Sequence, residues 1–128
     1  MENNLRVLIC DDSLLIRKKL RDVLVICKCA EIYEAENGNI AVELVKVHNP
    51  DVIFMDIVMP EKDGIEALKE IKTVNPNAKV VMASSVGTNE LLKKALENGA
   101  YDFIQKLINL ESVMNLFEKV LKEASVNV

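Results

Sequence analysis

The stretch Val52-Ile53-Phe54-Met55-Asp56 places an acidic residue directly after a run of four apolar residues. A short, continuously apolar run is typical of a parallel β-strand that helices cover on both faces. Residues 6–10 and 79–83 have the same character and predict two further central strands. Residues 31–34 alternate between polar and apolar side chains, which predicts an edge strand, and residues 102–105 complete a predicted set of five.

Longer amphipathic stretches separate these strands. After the first strand, Ile16, Leu20 and Leu24 recur at helical spacing, and Val113 and Phe117 begin a similar stripe near the end of the chain. Regular alternation of strands and helices predicts an α/β protein with a doubly wound, five-stranded parallel sheet and five helices. Because 128 residues with 50% hydrophobic content suffice for one core, we expect residues 1–128 to form one domain.

The overall composition narrows the class of protein. Twenty acidic residues against 16 basic ones give a net charge of −4, and the basic residues form no block, which argues against direct nucleic-acid binding. The chain has no run of eighteen apolar residues and does not start like a secretory signal, so we expect a cytoplasmic protein that does not enter a membrane. The three cysteines, at positions 10, 27 and 29, lack the second ligand pair of a zinc site.

Polar side chains follow four of the predicted strands. Asp11 and Asp12 follow the first strand, Asp56 the third, Ser84 the fourth and Lys106 the fifth. In an open parallel sheet, ligands bind beyond the carboxyl ends of the strands, so we expect these side chains to converge on one rim. Each residue taken alone has an ordinary explanation as a turn, cap or surface residue. The combination predicts a functional site.

The predicted cluster has the chemistry of phosphoryl transfer. Three neighbouring carboxylates raise one another's pKa values unless a cation neutralises them, and hard oxygen ligands favour Mg²⁺ or Mn²⁺. A metal beside a lysine and a hydroxyl stabilises the charge of a transferring phosphoryl group. Asp56 follows the most apolar strand and is the best candidate for a nucleophile that forms an aspartyl phosphate. Lys106 would then pair with the phosphate, and the Ser84 hydroxyl would hydrogen-bond to it.

Four stretches, in their order and spacing, resemble the response-regulator receiver family. They are Leu8-Ile9-Cys10-Asp11-Asp12-Ser13, Val52-Ile53-Phe54-Met55-Asp56-Ile57-Val58-Met59-Pro60 with Asp63-Gly64, Ala83-Ser84-Ser85, and Gly99-Ala100-Tyr101-Asp102-Phe103-Ile104-Gln105-Lys106. The resemblance covers nearly the whole chain. It implies a flavodoxin-like sheet with strand order 2-1-3-4-5.

The resemblance also implies a role for each acidic residue. Asp56 would be the phosphoacceptor. Asp12 and Asp56 would bind Mg²⁺ directly, and Asp11 would reach the metal through water. The main-chain carbonyl of Val58 would supply a further ligand.

Two more site residues and the partners follow from the same resemblance. Ser84 would provide the switching hydroxyl and Lys106 the counter-charge to the phosphate. The phosphoryl donor would be a phosphohistidine on a sensor histidine kinase or a phosphotransfer protein. An output protein, which for chemotaxis members of the family is a flagellar motor switch component, would meet the face near Phe103 and the fifth helix.

Two residues depart from the family pattern. Leu107 stands where members commonly have a proline after the lysine, often with a cis bond. A cis peptide bond before a residue other than proline costs about 2.5 to 4 kcal/mol, so we expect a trans peptide bond between Lys106 and Leu107. Phe103 stands where many members have an aromatic hydroxyl, so packing alone would hold it if it turned inward.

Several alternatives remain open. The chain could be a degenerate receiver that binds a protein constitutively, or the receiver part of a longer regulator.

The residues argue against other classes of protein with a similar sheet. An aspartyl phosphatase of the haloacid dehalogenase type needs a second aspartate two residues after the nucleophile, and that position is Val58. Dinucleotide, P-loop and flavin sites need a glycine-rich or hydroxyl-rich turn after the first strand, which Asp12-Ser13-Leu14 does not provide.

Overall fold

A computed structural model describes residues 4–59, 62–85, 89–106 and 108–126 of the chain, with the side chains of residues 124–126 excluded. Strands and helices alternate throughout. The strands are β1 (Arg6–Cys10), β2 (Glu31–Ala35), β3 (Val52–Asp56), β4 (Lys79–Ser84) and β5 (Asp102–Gln105). The helices are α1 (Leu14–Ile26), α2 (Gly38–His48), α3 (Gly64–Val74), α4 (Asn89–Glu97) and α5 (Leu110–Val126).

The five strands form one parallel sheet in the order β2-β1-β3-β4-β5. This confirms the expected doubly wound, flavodoxin-like fold, and it confirms that the alternating strand β2 lies at an edge. The buried central strand β3 pairs with β1 on one side and with β4 on the other.

Alternate residues of the sheet pack into two separate hydrophobic clusters, one on each face. On one face, Ile53 and Met55 of β3 pack with residues of α2, α3 and α4. On the other face, Val52 and Phe54 pack with residues of α1 and α5, including Phe117. Burial on both faces explains why β3 is apolar at four successive positions.

Three strands are one residue longer than the sequence pattern predicts, and two of the added residues belong to the predicted site. Asp56 pairs with Ala83 in the ladder between β3 and β4, and Ser84 pairs with Gln105 in the ladder between β4 and β5. The third added residue, Ala35, pairs with Cys10. Ladder pairing therefore fixes the backbone of Asp56 and Ser84, which the sequence placed just beyond the strands.

The helix starts lie close to the same rim of the sheet. Ser13 caps α1 by accepting a hydrogen bond from the Ile16 N–H at 3.2 Å, and Asp63 caps α3 by accepting one from the Glu66 N–H at 2.9 Å. Both caps directly follow loops that leave β1 and β3. In the described part of the chain, every helix is too short or too polar to cross a membrane.

Candidate functional site

Asp11, Asp12 and Asp56 come together at the carboxyl ends of β1 and β3. Their ligand oxygens lie within 4.8 Å of one another. Asp11 and Asp56 are buried residues, with 3% and 6% residual exposure, whereas Asp12 is exposed to solvent. The structure thus brings together the three carboxylates that the sequence predicted, with one open side.

Asp11 is held at four points. Its N–H donates to the Ala35 carbonyl at 3.1 Å, and its own carbonyl accepts from the Arg17 guanidinium at 2.7 Å. In the side chain, Oδ1 accepts from the Ser13 N–H at 2.9 Å, while Oδ2 lies 2.9 Å from Lys106 Nζ. These four contacts hold the loop between β1 and α1 in place, and they leave the buried Asp11 carboxylate little freedom to reorient.

Asp56 ends β3 in a buried, negatively charged environment. Burial raises its pKa above the ordinary value, and the nearby Asp11 carboxylate raises it further. The Lys106 ammonium, 3.1 Å from Oδ1, opposes this rise, as does a 3.4 Å hydrogen bond from the Val58 N–H to the same oxygen. The raised pKa indicates that the ionised carboxylate lacks full compensation and that an added cation would stabilise it.

Lys106 follows β5 and bridges two of the carboxylates. Its N–H donates to the Ser84 carbonyl at 2.7 Å, and its ammonium contacts Asp11 and Asp56. Burial alone would lower the pKa of Lys106, but these two contacts outweigh burial and raise it. The lysine is therefore a fixed positive charge at the site. The path through Leu107, for which the sequence predicts a trans bond, lies outside the described residues.

Three further predicted residues lie at or near this rim. Ser84 is buried at the end of β4, and its backbone carbonyl accepts a hydrogen bond from the Lys106 N–H. Val58 lies in the loop after β3, where its side chain is 60% exposed and its N–H reaches Asp56. Phe103 lies on β5 with 49% of its side chain exposed, so it is turned outward in this structure.

Sequence reasoning missed two residues that support the site. Arg17, in the first turn of α1, bonds the Asp11 carbonyl, and its Nε lies 3.1 Å from Glu34 Oε1 on β2. A signal was present, because a long basic side chain one turn after the cap of α1 can reach back to the preceding loop. The alternating pattern of β2 predicts that Glu34 lies on an edge strand, but not that it has a basic partner.

Cys10 shows how strongly this region is desolvated. The thiol is buried, and its pKa rises to about 12, through burial first and then through the charges of Asp11 and Asp56. Its Sγ contacts the Asn37 carbonyl at 3.4 Å. The thiol therefore stays neutral at physiological pH and packs as a small apolar side chain in the cluster that includes Met55.

The donor set fits a hard divalent cation. Three carboxylates with mutually close oxygens, one of them open to solvent, match the all-oxygen ligands and retained waters that Mg²⁺ prefers. The 2.9 and 3.1 Å contacts of Lys106 show that a positive charge already offsets part of the negative charge. One ammonium cannot neutralise three carboxylates, so the cluster keeps a capacity for a cation.

A parallel sheet of order 2-1-3-4-5 with an acidic cluster and a lysine at its carboxyl rim defines a receiver domain. Residues 7–118 match the model of the response regulator receiver domain, and the chain belongs to that family. The chain is 43% identical over 116 residues to the chemotaxis protein CheY of Bacillus subtilis, covering 91% of this chain and 97% of that protein. It is 45% identical over 117 residues to CheY of Halobacterium salinarum, covering 91% and 96%.

A solved structure shows the same architecture within a larger protein. NtrX from Brucella abortus superposes with a TM-score of 0.89 at 28% sequence identity. The match covers 98% of this chain and 28% of the NtrX chain. The receiver unit therefore occurs both in proteins of this length and as one part of longer chains.

Proposed function

We propose that this protein is a response regulator whose Asp56 accepts a phosphoryl group in a Mg²⁺-dependent reaction and thereby switches binding to an output partner. The observation that carries the proposal is the convergence of Asp11, Asp12 and Asp56 at the carboxyl rim, where the Lys106 ammonium contacts Asp11 and Asp56. These groups supply a nucleophile, cation ligands and a fixed counter-charge. Family membership supports the same reading.

The cation site would use the carboxylates of Asp12 and Asp56 as direct ligands, Asp11 through water, and the main-chain carbonyl of Val58. Bound there, Mg²⁺, or Mn²⁺ in its place, would neutralise phosphoryl oxygens and favour the ionised form of Asp56. The exposure of Asp12 leaves room for water and for a phosphoryl group on this side. The buried Asp11, bonded by Ser13 and Lys106, suits an outer role.

Transfer would proceed by attack of an Asp56 carboxylate oxygen on the phosphorus of a phosphohistidine. The new O–P bond forms as the N–P bond breaks, and the imidazole leaves with the electron pair. Lys106 already lies 3.1 Å from Oδ1 of Asp56, from which it would pair with the phosphate oxygens. The Ser84 hydroxyl, at the end of the neighbouring strand, would bond the same group after transfer.

The donor partner would be a sensor histidine kinase or a phosphotransfer protein, and the protein would act in the cytoplasm as a switch and not as an enzyme with an external substrate. Since the chain is similar to CheY over nearly its full length, a chemotaxis role with a flagellar motor switch component as output is the specific version of this proposal. A role as the receiver of a longer regulator is the broader version.

The face formed by β5 and α5 is the candidate output surface. Phe103 of β5 is 49% exposed there. A cleft of about 390 Å³ lies between the two elements, and its lining includes Phe103, Gln105, Ser112 and Lys119. An exposed aromatic side chain beside a polar cleft suits a partner that binds reversibly.

The direct test is chemical phosphorylation of the purified protein. Acetyl phosphate with Mg²⁺ should label the wild type with one phosphoryl group per chain, as an acyl phosphate that is stable in acid and labile in base. Asp56→Asn should abolish the labelling. Asp22→Asn, which removes an exposed carboxylate from α1, is the matched control and should label normally. Stoichiometric labelling of the Asp56→Asn variant would refute the assignment, and a wild type that never labels would favour the constitutive, degenerate receiver.

A further inference from the structure

Arg17 connects the first loop of the sheet to the edge strand. One guanidinium nitrogen donates to the Asp11 carbonyl at 2.7 Å, and Nε lies 3.1 Å from Oε1 of Glu34. The Arg17 side chain is only 12% exposed, so these contacts form largely out of water. Hydrogen bonds to a charged donor are among the stronger ones, particularly where solvent does not compete.

The accepting carbonyl belongs to the peptide unit that joins Asp11 to Asp12. A peptide unit is planar, so fixing its oxygen also fixes the direction in which the chain enters Asp12. The Asp12 side chain is exposed, and packing therefore gives it little support. The bond from Arg17 is then a principal restraint on where the Asp12 carboxylate starts.

The charge of Arg17 has the opposite consequence for a cation. A positive guanidinium close to a cation site repels the incoming ion, whatever it does for the backbone. Glu34 reduces this repulsion, and it also pairs through Oε2 with Arg21, one turn further along α1, at 3.2 Å. Position and charge therefore predict opposite effects when Arg17 is removed.

We infer that Arg17, oriented by Glu34, is a positioning residue for the candidate cation site, which it serves by holding the Asp11–Asp12 peptide in its binding geometry. This inference rests on the proposed Mg²⁺ site. Arg17 lies beyond the ligands themselves, in the shell of contacts that orients them. Loss of such contacts typically lowers metal affinity by about 10- to 100-fold.

The test compares three single variants by Mg²⁺ titration of the full chain, followed through amide NMR shifts. Arg17→Lys and Arg17→Met should each weaken Mg²⁺ binding by about 10-fold or more, because neither can make the two-nitrogen contact with Asp11 and Glu34. Arg21→Met is the matched control. This substitution also removes a positively charged partner of Glu34, but it leaves the hydrogen bond to the Asp11 carbonyl intact. The Mg²⁺ affinity of Arg21→Met should therefore equal that of the wild type.

A purely electrostatic or purely structural role for Arg17 gives different results. If only charge mattered, Arg17→Met would bind Mg²⁺ more tightly and Arg17→Lys would match the wild type, and that pattern would overturn the inference. If Arg17 only joined α1 to β2, thermal stability would fall with unchanged Mg²⁺ affinity, which would overturn it as well. Arg17→Lys keeps a cation for Glu34 and so guards against loss of the fold in the methionine variant.

A second readout needs no metal. In the metal-free protein, the backbone order parameter of the Asp12 amide should fall in both Arg17 variants and stay unchanged in Arg21→Met. An unchanged Asp12 amide in all variants would contradict the inference. Failure of the Mg²⁺ site has its own signature, since the wild type itself would then show no Mg²⁺-dependent shifts at Asp12 or Asp56.

Discussion

At the scale of single residues, Asp56 is held in surroundings that disfavour its charge. It is 6% exposed, lies beside the buried Asp11 and is partly compensated by Lys106. The net effect is a pKa above the ordinary aspartate value. Such a group lowers the stability of the folded protein whenever it is ionised, and a bound cation would offset this loss of stability.

The pH dependence of stability should reveal this cost. The folded pKa of Asp56 exceeds the unfolded value of about 3.9, so between the two values the folded state binds more protons and stability falls as pH rises. Above that window the cost is complete. Asp56→Asn should therefore raise the melting temperature of the metal-free protein at neutral pH and should lose this advantage below the unfolded pKa.

Thermal unfolding in a chelating buffer, followed by circular dichroism across a pH series, measures the difference between wild type and variant. Asp22→Asn again controls for the loss of one negative charge at an exposed position. A stability difference for Asp56→Asn that does not grow with rising pH would show that burial does not penalise the ionised carboxylate.

At the scale of elements, the loop from β3 to α3 depends on a close backbone approach. The Gly64 N–H donates to the Ile57 carbonyl at 2.9 Å, and a Cβ built on Gly64 would lie 2.1 Å from the Asp56 carbonyl oxygen. Real Cβ atoms do not approach backbone that closely, so the start of α3 packs against β3 only through glycine. The same contact fixes the backbone of the candidate phosphoacceptor.

We predict that Gly64→Ala lowers the free energy of unfolding by about 1 to 3 kcal/mol, the usual cost of forcing added volume into a packed site. The shift at Asp56 should also reduce chemical phosphorylation. Urea unfolding and acetyl phosphate labelling measure the two effects. Gly38→Ala is the control, because its Cβ would meet Ala67 and the flexible Lys62 side chain at 3.1 Å and should cost less. Equal stabilities for the two variants would contradict the steric account.

At the scale of the whole molecule, the two hydrophobic clusters make the sheet a rigid platform with its site at one end. Burial on both faces leaves polar side chains little place except the rims, and the carboxyl rim collects Asp11, Asp12, Asp56, Ser84 and Lys106. A ligand that binds only this folded arrangement must stabilise the entire domain through mass action.

Mg²⁺ should accordingly raise the melting temperature of the wild type. At a free concentration 100-fold above its dissociation constant, one bound ion contributes about 2.7 kcal/mol of stability. Asp12→Ala should largely remove this gain without leaving a cavity, because the Asp12 side chain is exposed. Asp22→Ala, at an exposed position on α1, should retain it, and equal Mg²⁺-induced shifts in wild type and Asp12→Ala would refute the site. Differential scanning calorimetry with and without Mg²⁺ makes the comparison.

From the sequence alone we predicted the strands to within one residue, the fold class and the rim at which the polar side chains gather. Apolar runs such as that of β3 and helical stripes such as that of α1 are local patterns, and the chain direction of a parallel sheet then sends the residues after each strand to one end. For this reason the sequence alone was enough to group five polar residues at one rim, namely Asp11, Asp12, Asp56, Ser84 and Lys106. Their roles in phosphorylation stay predictions.

The contacts between these groups follow from long-range packing and not from local sequence patterns. The 2.9 Å contact from Lys106 to Asp11 and the bond from Arg17 to the Asp11 carbonyl depend on strand order, helix placement and side-chain reach. Glu34 meets Arg17 across 17 residues of sequence because β2 pairs beside β1, and hydrophobic periodicity carries no information about such a partner. Burial of Asp56, and with it the raised pKa, likewise follows from how the helices cover the sheet. Local patterns fix which residues form strands and helices, whereas the distances that give a site its chemistry are set by long-range packing.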